Sequence, residues 1–284
     1  MITGLVDFDS LIYIASYRIV SIQEIKQWIC QNKTKEWMSQ EIVELSINRL
    51  YNMMDNIIAK IEDTGIVLDS TEYYITKCAK SIRKERYPDY KIKRKSNKWV
   101  GKVRDYLDNQ NFAIKDLQYE ADDLIADRAR ELGEENVVVI SIDKDLRINI
   151  PGIHFSYYRP IKKDEYGFKE ISEMVGLSHV SKEEAELNFW TSMLTGDSTD
   201  GIKGVPGIGK VKAAKILSTS ENYKLSVIET YQKHFKENWK YEYDKSYFNL
   251  YLGCNREEPE SLDDAISDAV QQTKQLNESN SINL

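Results

Sequence analysis

The chain has 284 residues, 30% of them charged, with a net charge of −7 and a mean hydropathy of −0.54. No apolar run approaches the roughly 20 residues that span a bilayer, and the first ten residues, MITGLVDFDS, lack the basic start and apolar core of a secretion signal. Cys30, Cys78 and Cys254 are odd in number and far apart, and His154, His179 and His234 stand alone, so a reducing, cytoplasmic setting is expected, without a membrane or a zinc site.

Ile2 to Phe8 reads as a strand ending near Asp7, followed by a helix from Ser10 to Val20. Ser39 to Ile61 carries Ile42, Val43, Leu45, Leu50, Met53, Met54, Ile57, Ile58 and Ile61, apolar at three- and four-residue spacing. That spacing predicts a long amphipathic packing helix. Glu72 to Thr76 is a short strand. Between Lys77 and Arg104 lie twelve cationic residues opposed only by Glu85 and Asp89, a local charge of +10 that leaves −17 for the rest. Such a split implies one surface made for an anion and another made for cations.

Ala121 to Leu132 is predicted helical, with Gly133 as terminator. Asn136 to Ile142, NVVVISI, has the continuous apolar character of a strand buried on both faces. Helices are expected over Ser181 to Leu194 and Val211 to Leu217, flanking a glycine-dense stretch. From Asn255 the chain is polar and acidic, a solvated tail or, alternatively, a docking segment for a replication partner. Alternating strands and helices predict an α/β fold with a mainly parallel sheet flanked by helices, and functional residues at the carboxyl ends of its strands.

Carboxylates fall in four clusters: Asp7, then Glu120, Asp122 and Asp123, then Asp143 and Asp145, then Asp197 and Asp200. Like charges gathered in one cleft require counter-cations, and oxygen-only ligands favour Mg²⁺, with Mn²⁺ able to substitute. Strand-end alternation in the Asp143 motif, and helical spacing in the Asp197 motif, would each turn two aspartates toward one place. Two such ions support phosphodiester hydrolysis without a nucleophilic side chain. Gly204 to Lys210 fits the outline of an ATP-binding loop, but Val211 replaces the Ser or Thr that such loops need. A helix-hairpin-helix that grips phosphates through backbone N–H groups is the better reading, with Lys203, Lys210 and Lys212 adding charge and Gly207 and Gly209 allowing close approach.

YEADDLIADRARELGEENVVVISIDKDL, LTGDSTDGIKGVPGIGKVKAAKIL, GLVDFDSLIY and RKERYPDYKIKR together resemble the 5′-nuclease family: the nuclease domain of bacterial DNA polymerase I and the stand-alone bacteriophage exonucleases. The resemblance covers about Ile2 to Leu217. It implies a PIN-like (resolvase-like) core over residues 1–180, with a basic helical arch over 77–105. A helical region with the hairpin follows over 181–254, and the acidic tail over 255–284.

The resemblance also implies a monomeric Mg²⁺-dependent 5′→3′ exonuclease or flap endonuclease of a bacterium or phage-infected host. It would act on DNA with a 5′ flap or 5′ end, an RNA primer or RNA–DNA hybrid being left open. Asp7, Glu120 and Asp122 correspond to ligands of a first metal, Asp123 to a further carboxylate, and Asp143, Asp145, Asp197 and Asp200 to ligands of a second. Lys91 and Arg94 correspond to arch residues acting with Asp122 in catalysis, and Arg83 to another phosphate contact. The hairpin near Gly207 and Gly209 corresponds to a duplex-binding site that in the family holds K⁺. One position departs from the pattern: seven residues before Arg83 the family has an aspartate, and here Thr76 stands there. Asp69, ahead of the strand, is a poor substitute. That departure keeps open a branched-DNA-binding protein of weakened activity, beside an RNA-specific metal-dependent nuclease.

Overall fold

The computed structural model describes residues 1–19, 35–78, 80–93, 98–157, 159–163, 169–173 and 176–254. Arg94, Cys30 and the tail from Asn255 lie outside them. The chain divides into two compact units, residues 1–79 with 95–181, and residues 80–94 with 182–284. The first half of the basic window thus belongs to the second unit, where the sequence alone had grouped it with the first.

The first unit is built on a five-stranded sheet of order β2-β1-β3-β4-β7. Its strands are β1 (Thr3–Asp7), β2 (Ser70–Tyr74), β3 (Val137–Ile140), β4 (Gly152–Ser156) and β7 (Gly176–Val180). β1 pairs in parallel with β2 and β3, and β3 with β4, while β7 closes the edge antiparallel to β4. β1 and β3 are buried at every position, which in β3 explains the unbroken apolar run. β5 (Arg159–Lys163) and β6 (Lys169–Glu173) form a separate antiparallel pair.

Around the sheet lie α1 (Phe8–Ile19), α2 (Lys35–Glu62), α4 (Lys98–Asn109), α5 (Ala121–Leu132) and α6 (Lys144–Asn149), with a single 3₁₀ turn at Glu134–Asn136. Leu50, Ile57 and Ile61 of α2 are completely buried in one core with Val6, Phe8, Leu11, Ile12 and Val103. Each such side chain contributes roughly 1.5–3 kcal/mol of burial. Of the apolar stripe predicted for α2, Leu50, Met54, Ile57 and Ile61 pack in the core with Val43, Met53 and Ile58 against it, while Leu45 is exposed. β2 lies two residues earlier than expected, so Thr76 falls beyond its end.

The second unit contains α3 (Ile82–Arg86), α7 (Lys182–Thr195), α8 (Lys210–Ser218), α9 (Tyr223–Phe235) and α10 (Trp239–Leu250). Its core gathers Phe189, Met193, Leu194, Ile202, Val205, Leu217, Val227, Ile228, Tyr231 and Tyr243. Between α7 and α8 the chain crosses itself closely. A Cβ on Gly204, whose φ is +59°, would stand 2.3 Å from the Gly196 nitrogen, and Gly196 itself has φ +72°. Only glycine permits that approach at those dihedrals. No described helix is long and apolar enough to cross a membrane.

Candidate active site

In the first unit the carboxyl end of β1 delivers Asp7 to a nearly closed position, 6% exposed. The Ser141 hydroxyl donates to its Oδ2 at 2.7 Å, the Ser10 hydroxyl donates to the same Oδ2, and the Ser10 backbone N–H donates to Oδ1 at 3.3 Å. Burial pushes the Asp7 carboxyl up to about 6, with Asp9 and then Asp143 adding repulsion against the serine hydrogen bonds. Ser141 also accepts the Asp143 N–H at 2.9 Å, so one hydroxyl links two of the clusters found in sequence.

Asp143 and Asp145 do not alternate on a strand. Asp143 is the N-cap of α6 and accepts the Asp145 N–H at 2.9 Å, while Lys144 Nζ lies 3.5 Å from the Asp145 carboxylate. β3 ends at Ile140, before either aspartate, and the helix starts at Lys144, so no strand alternation reaches them.

Glu120 is the N-cap of α5. Asp123 is wholly buried and accepts the Glu120 N–H at 3.3 Å, a reciprocal cap. Asp122 accepts the Asp123 N–H at 2.9 Å. Thr76 Oγ1 accepts the Ala121 N–H at 3.0 Å, and the Thr76 N–H donates to Asp9 at 3.0 Å.

These oxygens suit a hard divalent cation chemically, and the raised Asp7 carboxyl is the strain that such a charge relieves. Even so, among the described residues no group of three or more carboxylate, histidine or cysteine side chains converges closely enough to hold a metal. Asp9 and Asp143 act on Asp7 as electrostatic neighbours and do not close a cage around it.

In the second unit, Asp197 and Asp200 lie in a turn closed by a two-way backbone bridge between Asp197 and Ile202, at 2.8 and 2.7 Å. The turn is not helical, because Asp197 accepts the Thr199 N–H at 2.7 Å and folds the backbone back. Lys91, with φ +51°, donates its N–H to the Asp200 carbonyl at 2.9 Å, and its ammonium lies 3.6 Å from the Asp200 carboxylate. The Tyr90 hydroxyl donates to the same carboxylate at 3.3 Å.

Arg83 has no exposed surface; it donates to the Tyr251 carbonyl at 3.3 Å and sits over the Tyr90 ring. It therefore faces the interior of this unit, and a phosphate has no access to it in this structure. Lys203, Gly207, Gly209, Lys210 and Lys212 are all exposed, while Ile202 just before them and Val205 and Ile208 among them are buried. The loop thus anchors itself with apolar residues and presents glycine and lysine outward. Lys212 Nζ donates to the Gly207 carbonyl at 2.8 Å, which puts an ammonium on one of the hairpin carbonyls. Val211 is 86% exposed at the position where a nucleotide-binding loop would need its hydroxyl.

No protein-family model matches the chain. It is 30% identical over 179 residues to DNA polymerase I of Rhizobium leguminosarum, covering 60% of this chain and 17% of the polymerase. It is 36% identical over 133 residues to the flap endonuclease Xni of Colwellia psychrerythraea, covering 41% of this chain and 43% of that protein. The chain therefore spans less than half the length of either relative. A solved structure of the bacteriophage T5 flap endonuclease, in complex with DNA and metal ions, aligns over 88% of both chains at 17% identity with a TM-score of 0.51. The chain shares that fold, a mostly parallel sheet flanked by helices, and is distantly related in sequence to the polymerase and Xni proteins.

Proposed function

We propose that this protein is a metal-dependent 5′-nuclease that hydrolyses DNA at 5′ ends or 5′-flap junctions. The observation that carries the reading is the placement of Asp7. It is a buried carboxylate at the carboxyl end of a parallel strand, held by Ser141 and Ser10 and pushed up to about 6 by burial and by Asp9 and Asp143. A fold tolerates such a group where a cation is to be bound. The distant relatives and the shared fold support the reaction class.

The carboxylates that would hold Mg²⁺, or Mn²⁺ in its place, are Asp7, Glu120, Asp122, Asp123, Asp143 and Asp145 of the first unit. Asp197 and Asp200 are the second unit's own candidates. The chemistry that Mg²⁺ would supply there, if bound, is activation of water and counter-charge for the leaving oxygen. Lys91, with Arg94, holds the scissile phosphate and stabilises charge as it develops there. The exposed hairpin lysines and glycines grip duplex backbone without reading bases. K⁺ at this hairpin would compete with Lys212 for the Gly207 carbonyl. Arg83 supports Tyr90 and the turn that carries Lys91.

The second reading, a branched-DNA-binding protein of weakened activity, rests on Thr76, whose hydroxyl is occupied as a helix cap where the family pattern has a carboxylate. Incubating the protein with an end-labelled 5′-flap duplex, with and without Mg²⁺, decides between them. Product that appears only with the metal supports the nuclease. Tight binding without product at any Mg²⁺ or Mn²⁺ concentration overturns it in favour of the binding protein.

A further inference from the structure

Arg104 sits in the basic window, where its charge suggests a phosphate contact. Its guanidinium is instead committed to an internal partner: Nε and Nη2 of Arg104 lie 2.9 and 2.8 Å from Asp9 Oδ1, with both side chains largely covered. The other oxygen of Asp9 accepts the Thr76 N–H at 3.0 Å, and Thr76 Oγ1 accepts the Ala121 N–H at 3.0 Å. These bonds join residues 95, 67 and 45 positions apart. They connect α4, the start of α1, the segment after β2 and the first residue of α5.

The first N–H groups of a helix have no intrahelical acceptor. Ala121 finds its acceptor in Thr76, and Thr76 is held by Asp9. Asp9 in turn keeps its place beside Asp7 because Arg104 neutralises it. Glu120 and Asp122 flank Ala121 on either side, so the height and tilt at which α5 begins set where both carboxylates point.

We propose that Arg104 is a positioning residue, acting through Asp9 and Thr76 to fix the start of α5 and with it Glu120 and Asp122. This rests on the nuclease reading for its catalytic consequence, but the hydrogen-bond relay stands apart from it. The relay uses both ends of Thr76, its backbone N–H toward Asp9 and its hydroxyl oxygen toward Ala121. A shift of about 1 Å in catalytic groups can lower turnover about a hundredfold, and partial loosening of a helix start lowers it less.

The test compares Arg104→Met, Arg104→Lys, Thr76→Val and the Arg104→Met/Thr76→Val pair in the full chain. Steady-state cleavage of a 5′-flap duplex is measured together with amide hydrogen exchange of the free protein over residues 121–123. Arg104→Met is expected to lower kcat about tenfold with KM within about twofold and an unchanged salt dependence. Thr76→Val should do the same, the pair should be no worse than the more severe single variant, and Arg104→Lys should recover part of the loss. Both single variants should speed exchange at Ala121.

Unchanged exchange at Ala121 in Arg104→Met and Thr76→Val overturns the relay, whatever the activity. A higher KM and a flatter salt dependence at constant kcat overturns it too, by making Arg104 a phosphate contact. If the unaltered protein cleaves nothing, the nuclease reading fails while the exchange data still decide the relay.

Discussion

Lys91 and Asp200 are joined twice, by a 2.9 Å bond from the Lys91 N–H to the Asp200 carbonyl and by an ammonium 3.6 Å from the Asp200 carboxylate. The backbone bond does not use the Lys91 side chain, so Lys91→Ala tests the chemistry of the ammonium with that bond kept. Lys91→Ala is expected to lower the single-turnover cleavage rate by about a hundredfold or more while duplex affinity changes by less than about threefold. Arg94→Ala should behave alike. Rapid-quench kinetics and equilibrium binding on the same labelled flap check both, and intact single-turnover rates with weakened affinity would remove Lys91 and Arg94 from the reacting centre. Lys210→Ala or Lys212→Ala should weaken binding and flatten its salt dependence instead.

Asp122→Ala and Asp145→Ala are expected to abolish Mg²⁺-dependent cleavage with the fold intact. Asp7→Asn should do so and also stabilise the metal-free protein. The folded carboxyl titrates near 6 against 3.8 when exposed, so its contribution is complete below about pH 4 and is lost as pH rises through 6. That loss amounts to about 3 kcal/mol at most, and the amide removes it. Urea unfolding in EDTA at pH 7.5 reads the difference. A less stable Asp7→Asn protein contradicts the account of why this carboxyl is strained.

Asp123 gives a sharper choice between two roles. As a buried cap on the Glu120 N–H, its loss should cost stability: Asp123→Ala is expected to unfold about 1–2 kcal/mol more easily, and Asp123→Asn to recover much of that. A variant as stable as the parent, yet needing much more Mg²⁺, would show that the ligand role dominates.

His154 predicts acid sensitivity in the first unit. Its ring is 2% exposed and bonded to the Ile150 carbonyl at 2.7 Å, and burial holds it down to about 4 from 6.5. Above pH 6.5 it is neutral in both folded and unfolded chains. As pH falls toward 4 the unfolded chain takes up the proton first, so stability present above 6.5 is lost across that window. At pH 5 the loss is about 2 kcal/mol. His154→Gln should therefore lose less stability than the parent between pH 7 and pH 5, and parallel curves for the two would exclude His154 as a contributor.

Thr76→Asp is expected to lower the Mg²⁺ concentration for half-maximal cleavage, because it restores a negative charge and its carboxylate can still accept the Ala121 N–H. Mn²⁺ should support cleavage by the unaltered protein at lower concentration than Mg²⁺ does. A folded Thr76→Asp variant whose midpoint equals or exceeds that of the parent defeats the argument from the missing carboxylate.

Elements with an unbroken physical signal were legible from the chain. α2 followed from its apolar spacing, β3 from its continuous valines, and the bounds of α5 from Gly133 at its end. Of α4 only the general expectation of a helical arch over 77–105 was available, and its bounds were not legible because cations interrupt Val100, Val103 and Leu107, which form its buried face. β2 was displaced because Ile75 and Thr76 are good strand formers that leave the ladder. β4 and β7 contain glycine, serine and histidine and carry little strand signal.

The acidic residues of the site could be found by type. Of their supports, Ser141, Asp9 and Arg104 have partners far along the chain, and Ser10, three residues from Asp7, is a short polar group that no periodicity marks. The spacing of three between Asp197 and Asp200 left the conformation of their loop open, because a helical turn and a bridged turn both produce it.

The division of the chain has a consequence for how it folds during synthesis. Tyr90 leaves the ribosome 110 residues before Asp200, and Asp89 precedes its partner Lys245 by 156. At about 5–20 residues per second, the first delay alone lasts about 5–20 s. For that time a strongly cationic segment waits while the rest of its unit is still being translated. An anion close at hand, such as the ribosomal RNA it is emerging past, is a competitor for Lys91 before Asp200 exists. A slow stretch of translation after residue 94 should lower the yield of folded protein more than the same delay placed after residue 200.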